Sequence, residues 1–248
     1  MKRLESPAPR SNQQLLPLQM SRDLGRVFSE LHRELADEPL PAHQISFYPY
    51  AGLKHTIRSR DGRILIRLSD LIQEAEPAVL EATLALLICS LYKKPAPREF
   101  EAAYKQFATS SKIRTASLQA RSKRGKKRLT NAAGEYHELD HLFTKLNAEY
   151  FGGRLEVGHL SWSPGRSRRV LGHYDRAHDA IILSRFLDQP LVPTFVVEYV
   201  LYHEMLHVLH GEEYHGNRRR IHHQRFRKAE QEFADYKRAR RFILEELC

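Results

Sequence analysis

Apolar positions in the second half of the chain recur at helical spacing through Leu139, Leu142, Phe143, Leu146 and Tyr150, and Gly152-Gly153 supplies a stop. Three short runs follow that read as strands: His159 to Ser163, Val170 to Tyr174, and Ala180 to Ser184. Turn-prone residues divide them, first Pro164-Gly165 and then Asp175 to Asp179. Pro193 suits the first turn of the next helix, which runs through His207 to a stop at Gly211. That helix is apolar on nearly every side (Phe195, Val196, Val197, Val200, Leu201, Leu206, Val208), which predicts a place inside the domain. A last helix is expected from near His222 through Phe226, Phe233 and Tyr236. The pattern is that of an α+β domain: helix, small three-stranded sheet, buried helix, C-terminal helix.

The first half repeats this plan. The segment from Leu24 to Glu34 aligns without gaps onto Leu139 to Glu149, with Phe28 on Phe143 and Leu31 on Leu146. One residue out of that register, Ile66 matches Ile182, Leu71 matches Leu187 and Pro77 matches Pro193. Further on, Phe100, Ala103 and Phe107 match Phe226, Ala229 and Phe233. Three blocks in one order predict an internal duplication. The expected organisation is a disordered N-terminus over 1–19, a first α+β domain over 20–110, a basic linker over 111–134 and a second domain over 135–248. Within the linker, Arg121 to Arg128 holds six basic residues in eight, a block expected to be flexible and solvated.

Composition narrows the class. With 42% hydrophobic and 28% charged residues, the chain can bury a core. It has no apolar run of about 18 residues, so no membrane partner is expected. Met1 to Met20 carries Pro, Gln and Asn where a signal peptide would have an apolar core, and a cytoplasmic location is expected. Two cysteines, Cys89 and Cys248, make neither a disulfide framework nor a cysteine zinc site. The net charge of +10 favours polyanions. Candidate contacts for DNA are the Arg121–Arg128 stretch and Arg218, Arg219 and Arg220, with Arg166, Arg168 and Arg169 in a hairpin.

The candidate chemistry sits in the buried helix. His203-Glu204-Met205-Leu206-His207 is an H-E-x-x-H motif. Histidines four apart share one helix face and can reach one metal ion, and the intervening glutamate can hold a water there as general base. A catalytic zinc needs a third protein ligand. The candidates are His210, His215, His222 and His223. His210 is on the same helix, and one straight helix rarely supplies three ligands to a tetrahedral ion. The extended pattern H-E-x-x-H-x-x-G-x-x-H is not met, because positions 210 and 213 hold His210 and Glu213. His222 precedes Phe226 by four and so shares a face with an expected core aromatic. Tyr202, Tyr214 and Tyr236 are candidate oxyanion stabilisers, and His173 reads as an ordinary strand residue. In the first half, Leu87-Ile88-Cys89-Ser90-Leu91 stands opposite the motif with every metal-directed residue missing.

Leu201-Tyr-His-Glu-Met-Leu-His207, followed by Arg218-Arg-Arg-Ile-His222-His-Gln-Arg-Phe226, resembles the SprT-like metalloprotease family, which includes Spartan-type DNA–protein crosslink proteases. Leu146 to Gly153, Leu160 to Ser163 and Ile182 to Arg185 are similar to that family as well. The resemblance covers residues 135–240. It implies a zincin-like domain with zinc on His203, His207 and His222, the histidine that opens the last helix, and Glu204 as the catalytic glutamate. It also implies hydrolysis of a protein or peptide substrate. The cysteine-rich zinc ribbon of many relatives has no counterpart in the sequence. The competing readings are a nucleic-acid-binding module whose zinc is structural or vestigial, and a scaffold built on the degenerate first copy.

Overall fold

The structure, a computed structural model, describes residues 18–215 and 218–247, with the side chains of 18–22, 214, 215, 218 and 219 left aside. Most of the expected disordered stretch, 1–17, therefore lies outside the described residues. The chain divides into two compact units, 1–125 and 126–248.

In the first unit, α1 (Leu18–Leu35) leads into β1 (Ala42–Tyr48), β2 (Thr56–Arg60) and β3 (Arg63–Ser69). β3 lies in the middle, parallel to β1 and antiparallel to β2. Asp61 and Gly62 both have positive φ, 52° and 71°, which is the backbone a two-residue hairpin between right-twisted strands requires. After a 3-10 turn come α2 (Pro77–Leu91), α3 (Arg98–Ala108) and α4 (Ser111–Arg124). The core joins Phe28 and Leu31 of α1, Phe47 of β1, Ile64, Ile66 and Leu68 of β3, and Leu84 and Ile88 of α2.

The second unit runs through α5 (Leu139–Phe151), β4 (His159–Trp162), β5 (Gly172–Asp175), β6 (Ala180–Leu183) and α6 (Thr194–His210). It continues with the β7 (Glu213–His215) and β8 (Arg218–Arg220) hairpin, then α7 (Gln224–Glu230) and α8 (Tyr236–Phe242). Gly152, at φ 61°, caps α5 in the left-handed region, as its sequence predicts. β6 is central, parallel to β4 and antiparallel to β5. The order and strand senses are those of the first unit.

The structural correspondence also fixes the register. Phe47 pairs with Leu68 as Trp162 pairs with Leu183. Ser69 and Ser184 each cap the 3-10 turn that follows, accepting from the N–H two residues on. The counterpart of Leu187 is therefore the fully buried Ile72 and not Leu71, and that of Ile66 is Ile181. The offset grows by one only afterwards, before Pro77 and Pro193.

Two expectations need correction. The 111–134 stretch is not an open linker. Ser110 accepts from the Ile113 N–H to start α4, Ile113 and Ala120 are buried, and Arg121, Lys123 and Arg124 fall in the last turn, where cations suit the helix dipole. Beyond it, residues 127–132 lie on the second sheet. The Thr130 N–H donates to Ser161 Oγ, Trp162 Nε1 donates to the Ala132 carbonyl, and Lys127 pairs with buried Asp175 at 3.2 Å. The last helix, too, is broken into α7 and α8, and it starts after His223, whose ring caps it.

Asp188, just past β6, ties the entry of α5 in place. Its buried carboxylate accepts from the backbone N–H groups of Glu135, Tyr136 and His137 at 2.8–3.1 Å. Gly134 is confined there, since a Cβ would overlap the His137 carbonyl and the Asp188 carboxylate. Burial pushes the Asp188 carboxyl up, but the three donors outweigh it and hold it below the usual carboxylate range. Asp188→Ala is expected to lower stability by about 3 kcal/mol at pH 7 in urea unfolding, because three donors lose their acceptor. The folded value is the depressed one, so this stabilisation is present above the unfolded value and fades as pH falls through the folded one. The gap between wild type and variant should therefore close below about pH 4; a loss under about 0.5 kcal/mol at pH 7 would contradict the assignment.

Candidate metal centre

α6 is buried along ten of its residues, from Val196 to Leu206, and this fixes which way its polar side chains turn. His203 and His207 lie one turn apart on its partly buried face. The β7–β8 hairpin then returns the chain so that His222, just before α7, reaches the same point. Nε2 of His207 stands 3.2 Å from Nε2 of His203 and 3.2 Å from Nε2 of His222. Nitrogens each about 2.0–2.1 Å from a tetrahedral ion are separated by about 3.3–3.4 Å. The spacing therefore suits one metal ion, and these three residues could hold it.

Phe226 supports all three rings from below, at centroid distances of 5.1, 4.6 and 4.8 Å from His203, His207 and His222. The His203 Nδ1–H donates to Glu230 Oε1 at 2.7 Å, and the Tyr199 hydroxyl donates to the same oxygen at 2.9 Å. That bond leaves the His203 Nε2 lone pair facing the centre, the tautomer a metal ligand needs. Burial pushes the Glu230 carboxyl up, but the donors from His203 and Tyr199 outweigh this, and it stays an anion. Burial, with His203 beside it, lowers the His222 pKa and favours its neutral form, the one that ligates.

Glu204 lines the same cleft as the three histidines, with its carboxyl against Gly172 of β5. Its carboxyl is 4% exposed, and burial raises its pKa to about 7, partly offset by His203 and by the Tyr174 backbone N–H. Oε2 is buried and has no hydrogen-bond partner among the described residues. An orphaned carboxylate oxygen beside three converging imidazoles fits a site completed by a metal ion and water. Gly172 makes the approach possible. A Cβ there would stand 2.9 Å from Glu204 Oε1 and 3.0 Å from Val200 Cγ1, so any other residue displaces the carboxylate. The site opens into a cleft of about 470 Å³ between β5 and the helix, whose walls include Gly172, His173, Tyr174 and Arg176.

Residues 139–241 match the model of the SprT-like family. The match begins with α5 and takes in the motif helix, His222 and α8. No curated protein and no solved structure matches the chain. A SprT-like family suggests a metallopeptidase, and among the described residues no helix is long and apolar enough to cross a membrane.

Of the remaining candidates, His223 caps α7 by accepting from the Phe226 N–H, and its ring lies 3.5 Å from Glu213, outside the triad. His210 packs edge-on against His223. His215 lies on β7, with its side chain outside the described residues, as are those of Tyr214, Arg218 and Arg219. Tyr202 is spent on the fold, its hydroxyl donating to the Ala229 carbonyl, and the Tyr236 hydroxyl accepts from Arg240. His173 is more than a plain strand residue: it lines the cleft, with Nε2 2.9 Å from Lys127 Nζ. Glu230, Tyr199 and Gly172 gave no sequence signal, because each acts through a partner distant in sequence.

The raised Glu204 value has a measurable consequence in metal-free protein. A folded pKa above the unfolded one stabilises below about pH 4.5 and is lost as pH rises through about 7. Glu204→Gln lacks that ionisation. In chelator-treated protein its stability relative to wild type should rise by on the order of 3 kcal/mol between pH 4 and pH 8; a pH-independent difference would contradict the burial argument.

Proposed function

We propose that the C-terminal unit is a zinc-dependent metallopeptidase of SprT-like type, with His203, His207 and His222 as zinc ligands and Glu204 as general base. The observation that carries it is the pairing of a three-imidazole cradle with a buried, base-ready carboxylate one residue from the first ligand. A structural zinc site closes with four protein ligands and needs no such carboxylate.

His203, His207 and His222 would hold the zinc, which would supply Lewis-acid chemistry there: activation of a water and polarisation of the scissile carbonyl. Glu204 takes a proton from the attacking water and passes it to the leaving amine. Its burial keeps competing solvent away, and the Tyr174 N–H keeps the carboxylate turned to the cleft. Glu230 holds His203 in orientation. β5 is an edge strand and lines the cleft, so an extended peptide can add to it by strand pairing. DNA-associated proteins are the substrate class that the charge of +10 favours.

The first unit is, in this proposal, a degenerate copy of the same domain. It keeps the strand order, while Leu87 and Leu91 stand where the second unit has His203 and His207. Ile88, fully buried, takes the place of Glu204.

The test pairs two variants with metal analysis. Glu204→Gln should retain one zinc per chain and lose cleavage of an unfolded protein substrate by about 10²–10⁴-fold. His222→Ala should lose zinc and activity together. Zinc-loaded wild type without peptidase activity, or Glu204→Gln cleaving at the wild-type rate, would favour a structural zinc in a binding module.

A further inference from the structure

We infer that the outer face of the first unit's sheet is a binding surface for single-stranded nucleic acid. The inference stands on that unit alone and does not rest on the peptidase reading. Along β3, Ile64, Ile66 and Leu68 point into the core, while Arg63, Leu65 and Arg67 are exposed. Their cross-strand partners extend the same face: Arg58 lies opposite Leu65, and Arg60 opposite Arg63. Four guanidinium groups thus share one face of a three-stranded sheet. Among the described residues only Arg60 of the four is ion-paired, to its neighbour Asp61 at 3.4 Å.

Like charges directly opposite each other weaken a sheet, and Arg60 stands opposite Arg63. The corresponding face of the second unit shows what the same fold does without a ligand to meet. There β6 is buried at all four positions, with Ile182 in the place of Arg67 and Ala180 in that of Leu65. Residues 127–132 lie over it, through Thr130 on Ser161 and Asn131 on Trp162. One copy covers the face; the other leaves it open and coats it with arginine.

Aromatic rings at one end of the face select the kind of polyanion. Tyr48 ends β1, with its ring 5.3 Å from the Arg67 guanidinium and 4.7 Å from the Tyr50 ring. Lys54 lies over Tyr50, and Arg124 at the basic end of α4 donates to the Tyr50 carbonyl. Partly exposed rings interleaved with cations let unpaired bases stack while their phosphates are neutralised. A duplex keeps its bases stacked inside and has no use for the rings. From Arg63 to Arg67 the strand spans about 13 Å, room for roughly two or three bases.

The test is fluorescence anisotropy of the full chain with a labelled oligo-thymidine strand and with a duplex of equal length. Arg58→Gln, Arg63→Gln and Arg67→Gln together should weaken single-strand binding by at least about tenfold and flatten its salt dependence by about two phosphate contacts. Tyr48→Leu with Tyr50→Leu should weaken single-strand binding about tenfold and leave duplex binding unchanged. Thermal unfolding checks that both sets remain folded. Arg166→Gln, Arg168→Gln and Arg169→Gln in the other unit should have little effect. The inference is overturned if wild type does not bind the single strand, or if folded sheet-face variants bind as wild type does. Loss on tyrosine replacement that is equal for single strand and duplex also overturns it. Every readout is independent of zinc and cleavage.

Discussion

The Nε2 atoms of His203 and His222 each stand 3.2 Å from that of His207, and lone pairs converging at that distance repel one another unless a cation lies between them; the C-terminal unit is arranged around that constraint. α6 can supply two of them in register only because it is locked on nearly every side by the core. The third comes from a chain segment that must fold back across a hairpin, and Phe226 underneath fixes where it arrives. Glu230 turns His203, Gly172 admits Glu204, and Asp188 secures the segment leading into α5. Each of these contacts removes a freedom that would otherwise let the nitrogens drift apart.

The two units show how one plan serves with and without that constraint. Both sheets place the third strand between the first two with the same senses. Where the second unit carries two histidines and a buried acid, the first carries aliphatic residues, and Ile88 occupies a core position that in the other unit holds Glu204. A buried isoleucine stabilises by transfer out of water, whereas a buried carboxylate costs folding energy in proportion to its raised pKa. The second unit retains that cost at one position, beside the cradle.

Periodicity made much of this legible. The strands fall within two residues of their expected ends, and α5 stops at the glycine pair, because period two, period 3.6 and a left-handed cap are all local signals. The repeat was visible for the same reason, although the offset slipped by one until the serine caps of the 3-10 turns fixed it. What sequence could not show depends on distant partners. The helix Ser111–Arg124 hides inside a basic run, because two buried residues, Ile113 and Ala120, were enough to anchor it. Among four candidate histidines, spacing alone left the third ligand open and the family resemblance pointed to His222; the hairpin is what brings it to α6. Glu230 and Gly172 look ordinary in the chain, and only the fold sets them against His203 and Glu204.

Binding of one zinc ion by three imidazoles can be read by X-ray absorption at the zinc edge on purified, zinc-loaded protein. The expected spectrum has one zinc per chain with three imidazole nitrogens at about 2.0–2.1 Å, a further light-atom ligand and no sulfur. Loss of bound zinc from His222→Ala would support the ligand set. Sulfur at about 2.3 Å, or a spectrum that His222→Ala leaves unchanged, would contradict it.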